Sequence, residues 1–90
     1  MDFRWNEWNV EHLDSHRVTP EASESVIRNA RSPYPTRIEN DKWLVWGPGP
    51  GGHLLQVIFV LDADKTIFVI HARPLTDQEK RRYRRRKRKR

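Results

Sequence analysis

Two residues near the C-terminus carry the sequence's sharpest chemical suggestion. His71 and Arg73 sit two apart at the end of the apolar run Thr66-Ile67-Phe68-Val69-Ile70-His71-Ala72, just before Pro74. In a strand such positions project to one face, here opposite Ile70 and Ala72. A histidine and an arginine sharing a face, beside the start of a helix, could hold an anionic phosphate. The same pair equally fits a structural arginine bonded to an acid such as Glu7 or Glu11, and the pattern alone leaves both open.

Three other features invite chemistry. His12 and His16 form an HxxxH pair with a metal-sharing spacing, but the chain has no cysteine to add a thiolate ligand. The expected outcome is one histidine packed on the tryptophans, the other exposed, and no metal. Gly47-Pro48-Gly49-Pro50-Gly51-Gly52 resembles a phosphate cradle, yet it lacks a Gly-Lys-Ser/Thr ending and precedes a strand. It therefore reads as a hairpin loop. Residues 80–90 are lysine or arginine except Tyr83. That density points to backbone-phosphate contact, steeply salt-dependent and nearly blind to sequence. Tyr83 could stack a base, but anchoring its helix is the preferred reading.

The elements that must position these groups are legible in the pattern. Asn6 can cap a helix with Glu7 in its first turn, and Trp5, Trp8, His12 and His16 then fall near one face. Thr19-Pro20-Glu21 is a second helix start, with Ala22, Val26, Ile27 and Ala30 as its apolar stripe, stopped at Ser32-Pro33-Tyr34-Pro35. Trp43–Trp46, Leu54–Leu61 and Thr66–Ala72 read as strands, and residues 35–38 as a possible edge strand. Thr76-Asp77-Gln78-Glu79 has the form of a capping box, so the basic segment begins as a helix. The expected fold is α+β: two N-terminal helices, an antiparallel sheet of three or four strands, and a C-terminal helix.

Charge is divided unevenly along this layout. Ten of the 18 Lys+Arg lie in residues 80–90, leaving eight against all 12 Asp+Glu in residues 1–79, so the body carries −4 and the tail +10. A mildly acidic body (residues 1–79) in a single domain spanning 1–86, with a polycationic end disordered over 87–90, suits phosphates or an acidic protein partner. With no apolar run of membrane-spanning length and no signal-like start, a cytoplasmic, non-membrane protein is expected.

Three ordered blocks carry a family resemblance. They are Trp5-Asn6-Glu7-Trp8-Asn9-Val10-Glu11-His12, His16-Arg17-Val18-Thr19-Pro20-Glu21-Ala22, and Ala72-Arg73-Pro74-Leu75-Thr76-Asp77-Gln78-Glu79-Lys80-Arg81-Arg82-Tyr83. Together they resemble the BrnT-type toxins of the RelE/ParE-like superfamily of bacterial type II toxin–antitoxin systems. The most specific part is A-R-x-x-T-x-x-E-x-x-x-Y, met by Ala72, Arg73, Thr76, Glu79 and Tyr83. One departure stands out: Arg17 occupies a position where the family often has glycine after the histidine, which implies a tighter or strained connector.

The resemblance implies N-terminal helices, a curved antiparallel sheet and a C-terminal helix. It also implies an endoribonuclease, needing no cofactor, that cleaves mRNA free or on the ribosome and is held by a cognate antitoxin. Arg73 is then the candidate for stabilising the transition state, with His71, His12, His16 and Tyr83 as further catalytic candidates. Arg17, Lys42, His53, Arg81, Arg82, Arg84 and Arg85 are candidates for RNA contact. The alternative is a non-catalytic module that uses the basic helix to bind nucleic acid or to dock an antitoxin.

Overall fold

The computed structural model describes residues 2–88. Its elements run β1 (Phe3–Arg4), α1 (Glu7–Asp14), α2 (Pro20–Arg28), β2 (Thr36–Glu39), β3 (Lys42–Pro48), β4 (Leu54–Leu61), β5 (Ile67–Pro74) and α3 (Asp77–Arg88). A short 3-10 turn, Pro50–Gly52, lies between β3 and β4. Of the extension expected at 87–90, the first two residues belong to α3 and residues 89–90 lie outside the described residues.

The α+β class and the three helices match the sequence reading, but the sheet does not. It has five strands in the order β1-β5-β4-β3-β2, and β1 pairs with β5 in parallel. An antiparallel sheet of three or four strands is therefore corrected to a mixed five-stranded one. The reason is physical: a two-residue strand has no alternation to read, and its partner lies more than sixty residues away. The Ile67 N–H donates to the Asp2 carbonyl at 2.8 Å to close that pairing.

The caps are built as the residue types dictate. Asn6 and Asn9 cap α1 reciprocally, side chain to backbone N–H in each direction. The fully buried Asn9 also donates to the Arg4 carbonyl at 3.1 Å, tying β1 to α1. Thr19 accepts from the Ala22 N–H at the start of α2. At the far end of α1, Arg17 N–H donates to Asp14 O and Val18 N–H to Leu13 O. With Arg17 at φ 60°, this is a Schellman end, and the buried Leu13 and Val18 supply its apolar contact. An arginine thus occupies the left-handed position that usually takes glycine. The strain expected from the sequence is present.

α1 packs on β5 and α2 on β3 and β4. The core gathers Leu13, Val18, Val26 and Ile27 from the helical side with Val45, Leu55, Val57, Phe59, Val69 and Ala72 from the sheet. A β-bulge on β5 sets which side chains face outward. Phe59 pairs with Val69 but Ile58 pairs with His71, so Ile70 is the extra residue. The bulge shifts the alternation by one, placing Val69 and Ala72 in the core and turning His71 and Arg73 to the opposite, open face.

Candidate nucleic-acid interface

The capping box opens α3 as expected, and Arg73 completes it. Thr76 N–H donates to Glu79 Oε1 at 2.9 Å and Glu79 N–H donates to Thr76 Oγ1 at 3.2 Å. The Arg73 guanidinium then grips the same carboxylate with both ends, Nη1 to Oε1 at 2.8 Å and Nη2 to Oε2 at 2.9 Å. Nη1 also donates to the Pro74 carbonyl at 3.0 Å. These bonds to Arg73, with the capping bonds, hold Glu79 down from the ordinary 4.5 to about 2. They push Arg73 the opposite way, upward. The acid that partners Arg73 is Glu79, not Glu7 or Glu11, and Arg73 works as a clamp fixing α3 to the end of the sheet.

Near Arg73, α1 and β5 assemble the histidines. The His12 ring stacks on Trp8 with centroids 4.5 Å apart, and Trp8 in turn lies 6.0 Å from Phe68. His16, beyond the end of α1, meets His71 edge-on at 5.7 Å. Desolvation chiefly, then the charges of Arg73, His16 and His12, pushes the His71 imidazole below its ordinary value. Among the described residues, no group of three or more His, Cys, Asp or Glu side chains is arranged to hold a metal ion.

His16 also lines a concave site. A cavity of about 570 Å³ opens between the α1–α2 connector, the Gly/Pro loop and α3. Its chemically active lining is His16, Arg17, His53, Lys80 and Arg84, over an apolar floor that includes Val18, Ala22 and Leu55. No carboxylate is among the lining residues, although Lys80 reaches the exposed Asp77 at a long 3.9 Å. Three positive side chains and two imidazoles converge on one groove, a lining whose charge suits an anion.

Each wall of this groove has a sequence cause. The Schellman end with its left-handed Arg17 points the connector toward the groove. The loop closes through Gly49 N–H to His53 O at 2.8 Å and Gly52 N–H to Gly49 O at 3.0 Å. Gly51 and Gly52 have φ of 79° and 82°, and a Cβ on Gly49 would lie 2.9 Å from Leu55 Cδ1. The glycines therefore serve a tight, closely packed turn that presents His53. It is a hairpin loop by turn chemistry, as expected, and also a wall of the site, which was not expected.

α3 supplies the third wall. At about 100° per residue, Lys80 and Arg84 share one flank, Arg82 and Arg86 the opposite flank, and Tyr83 faces the body. Tyr83 packs against the core 6.4 Å from the Tyr34 ring, in keeping with an anchoring role. On the far flank, Arg82, Arg85 and Arg86 line a second groove of about 320 Å³ with Trp46. Arg86 Nη1 donates to the Tyr34 hydroxyl at 3.2 Å. Burial raises the Tyr34 phenol above its ordinary value, with Arg86 opposing.

The structure thus brings together His16, Arg17, His53 and Arg84 from the sequence candidates, and places Arg82 and Arg85 across α3. Arg81 lines neither groove. Lys42 belongs elsewhere: it pairs with Glu39 at 3.0 Å, at the end of β3 remote from the loop. Pro48 lies six residue steps along the strand from it, about 20 Å. Sequence reading missed Lys80 and Trp46. Lys80 stands four residues before Arg84, a spacing that signals a shared helical face. Trp46 gave no signal apart from its place in an apolar strand.

No protein-family model matches the chain, and no curated protein or solved structure matches it either.

Proposed function

We propose that the protein is the toxin component of a type II toxin–antitoxin system: a cytoplasmic, metal-independent endoribonuclease that binds RNA in the groove between α3, the Gly/Pro loop and the α1–α2 connector. The observation that carries this reading is the convergence of His16 and His53 with Arg17, Lys80 and Arg84 on one carboxylate-free groove. The motif resemblance from Trp5 to Tyr83 adds the toxin context and the expectation of a cognate antitoxin.

The chemistry asked of the groove is transfer within the RNA backbone. One imidazole takes the ribose 2′-OH proton, the 2′-oxygen bonds to the adjacent phosphorus, and the P–O5′ bond breaks. The second imidazole, as its acid form, gives a proton to the leaving 5′-oxygen. The products are a 2′,3′-cyclic phosphate and a 5′-hydroxyl. Arg17, Lys80 and Arg84 stabilise the charge that builds on the phosphoryl oxygens. Positioning alone contributes substantially, because the groove's cations fix the phosphate against the imidazoles.

One observation favours a second reading. The motif arginine, Arg73, is held by a bidentate carboxylate. A non-catalytic RNA-binding module, or a basic helix that docks an acidic antitoxin, is consistent with that. The discriminating experiment incubates the wild-type chain with single-stranded RNA in excess chelator, beside a strand carrying 2′-deoxyribose throughout. Cleavage of the first strand alone, ending in cyclic phosphate, supports the nuclease. Binding of both strands without cleavage supports the second reading. No binding at moderate salt overturns both RNA readings and leaves antitoxin docking.

A further inference from the structure

The groove on the far flank of α3 has a composition that the first lacks. Its lining is Trp46 with Arg82, Arg85 and Arg86, an indole surrounded by three guanidinium groups and no carboxylate. We infer that this groove is a base-stacking subsite, in which the Trp46 ring receives an unpaired nucleobase while the arginines hold the flanking phosphates. The inference rests on the RNA reading above and deepens it: the ligand is a single strand long enough to cross α3.

Four observations carry it. First, Trp46 is prefixed by its neighbours. Its indole N–H donates to Gln56 Oε1 at 3.0 Å, and its ring lies 6.2 Å from Tyr34 at a 33° tilt. An aromatic platform held this way loses little side-chain freedom when a base arrives. Second, Trp46 is only partly buried, because its strand places Val45 and Gly47 in the core and Trp46 on the open face, beyond the stretch that β2 covers.

Third, the charge suits a polyanion and not a cation or an acid-bearing neighbour. The one nearby carboxylate along α3 on this flank, Glu79, is consumed by Arg73. Arg86 is steered by the Tyr34 hydroxyl, and Arg82 and Arg85 are the remaining cations for the flanking phosphates. Fourth, the helical spacing makes the two grooves flanks of one ridge. Lys80 and Arg84 descend into the first groove and Arg82, Arg85 and Arg86 line the second, with Arg81 along the crest between them. A strand lying over an α-helix about 10–12 Å wide meets positive charge on both slopes and at the top.

Stacking adds what charge cannot: a preference for unpaired bases. Every base has a π-face, so the preference is for single strands and not for a sequence. In a duplex the bases are already stacked and Trp46 has nothing to receive.

The test measures affinity by fluorescence anisotropy for three labelled RNAs of equal length: a single strand, the same strand with abasic sites throughout, and a duplex. The single strand is 2′-deoxy-substituted at alternate positions to slow cleavage. The wild-type chain is expected to bind the single strand more tightly than the abasic strand. Trp46→Ala is expected to lose about 5- to 150-fold on the single strand. It should lose little on the abasic strand or the duplex, and its salt slope should not change because no charge is removed. Trp46→Leu keeps apolar bulk against Tyr34 without a ring face, and it should behave like Trp46→Ala if both remain folded by circular dichroism. Trp46→Phe should recover part of the loss.

Equal losses on all three RNAs, or no loss on the single strand in a folded Trp46→Leu variant, overturn the subsite while leaving the RNA reading standing. Failure of the wild-type chain to bind any of the three overturns both.

Discussion

Removing Glu79 tests the join between the sheet and the basic helix. The Glu79→Ala change deletes the two bonds to Arg73, at 2.8 and 2.9 Å, and the bond to the Thr76 N–H at 2.9 Å. The carboxyl's fall from 4.5 to about 2 corresponds to an upper bound of about 3 kcal/mol. Water reaches the edge of the pair and screens it, which reduces the ionic part to about 1–2 kcal/mol. Losing the capping-box contact adds about 1 kcal/mol, so Glu79→Ala is expected to cost about 2–3 kcal/mol. Glu79→Gln retains one bond to each partner and should cost about 1–2 kcal/mol.

The sign of the pH dependence follows from the direction of the shift. A carboxyl depressed in the folded chain contributes stability above its unfolded value, and that stability is lost as pH falls from about 4.5 toward about 2. Urea unfolding followed by circular dichroism at several pH values therefore compares wild type with Glu79→Gln. The difference should be largest at neutral pH and should close across that window. A difference under about 0.5 kcal/mol at neutral pH, or one that persists unchanged near pH 2, would refute the clamp.

Arg17→Gly should raise stability by about 1 kcal/mol by relieving the left-handed φ, read as a higher urea midpoint. The same variant should bind RNA more weakly, because it removes a groove cation. For His71, whose imidazole is lowered mainly by desolvation, the unfolded chain binds the extra proton first. Wild type should therefore lose stability as pH falls below the unfolded value, about 6.5. His71→Gln should lack that component, as seen by the same unfolding measurement.

Much of the fold was legible because local rules decided it. Asn6, Thr19-Pro20 and Thr76-Glu79 are capping signals whose partners lie three residues away, and all three caps form. The length and two-faced apolar character of Leu54–Leu61 likewise sufficed. What escaped was non-local. The parallel pairing of Phe3–Arg4 with Ile67–Phe68 has no local pattern, and neither does the bulge at Ile70 that turns His71 and Arg73 outward. The histidine–arginine face was read correctly, but the acid that claims Arg73 was sought on α1 when it lay six residues ahead, inside the capping box itself. The groove depends on bringing residue 16 to residues 53 and 84. That is a property of tertiary packing, so its members could be named one by one but not as a site.

His53 gives the most direct test of the central claim, because it is exposed on the Gly/Pro loop and its replacement leaves the core untouched. The measurement is the rate of single-stranded RNA cleavage in chelator by wild type and by His53→Ala, with thermal unfolding recorded for both. The expected result is an unchanged melting temperature and a cleavage rate lower by about 10²- to 10⁴-fold. A folded His53→Ala chain that cleaves RNA at the wild-type rate would contradict it.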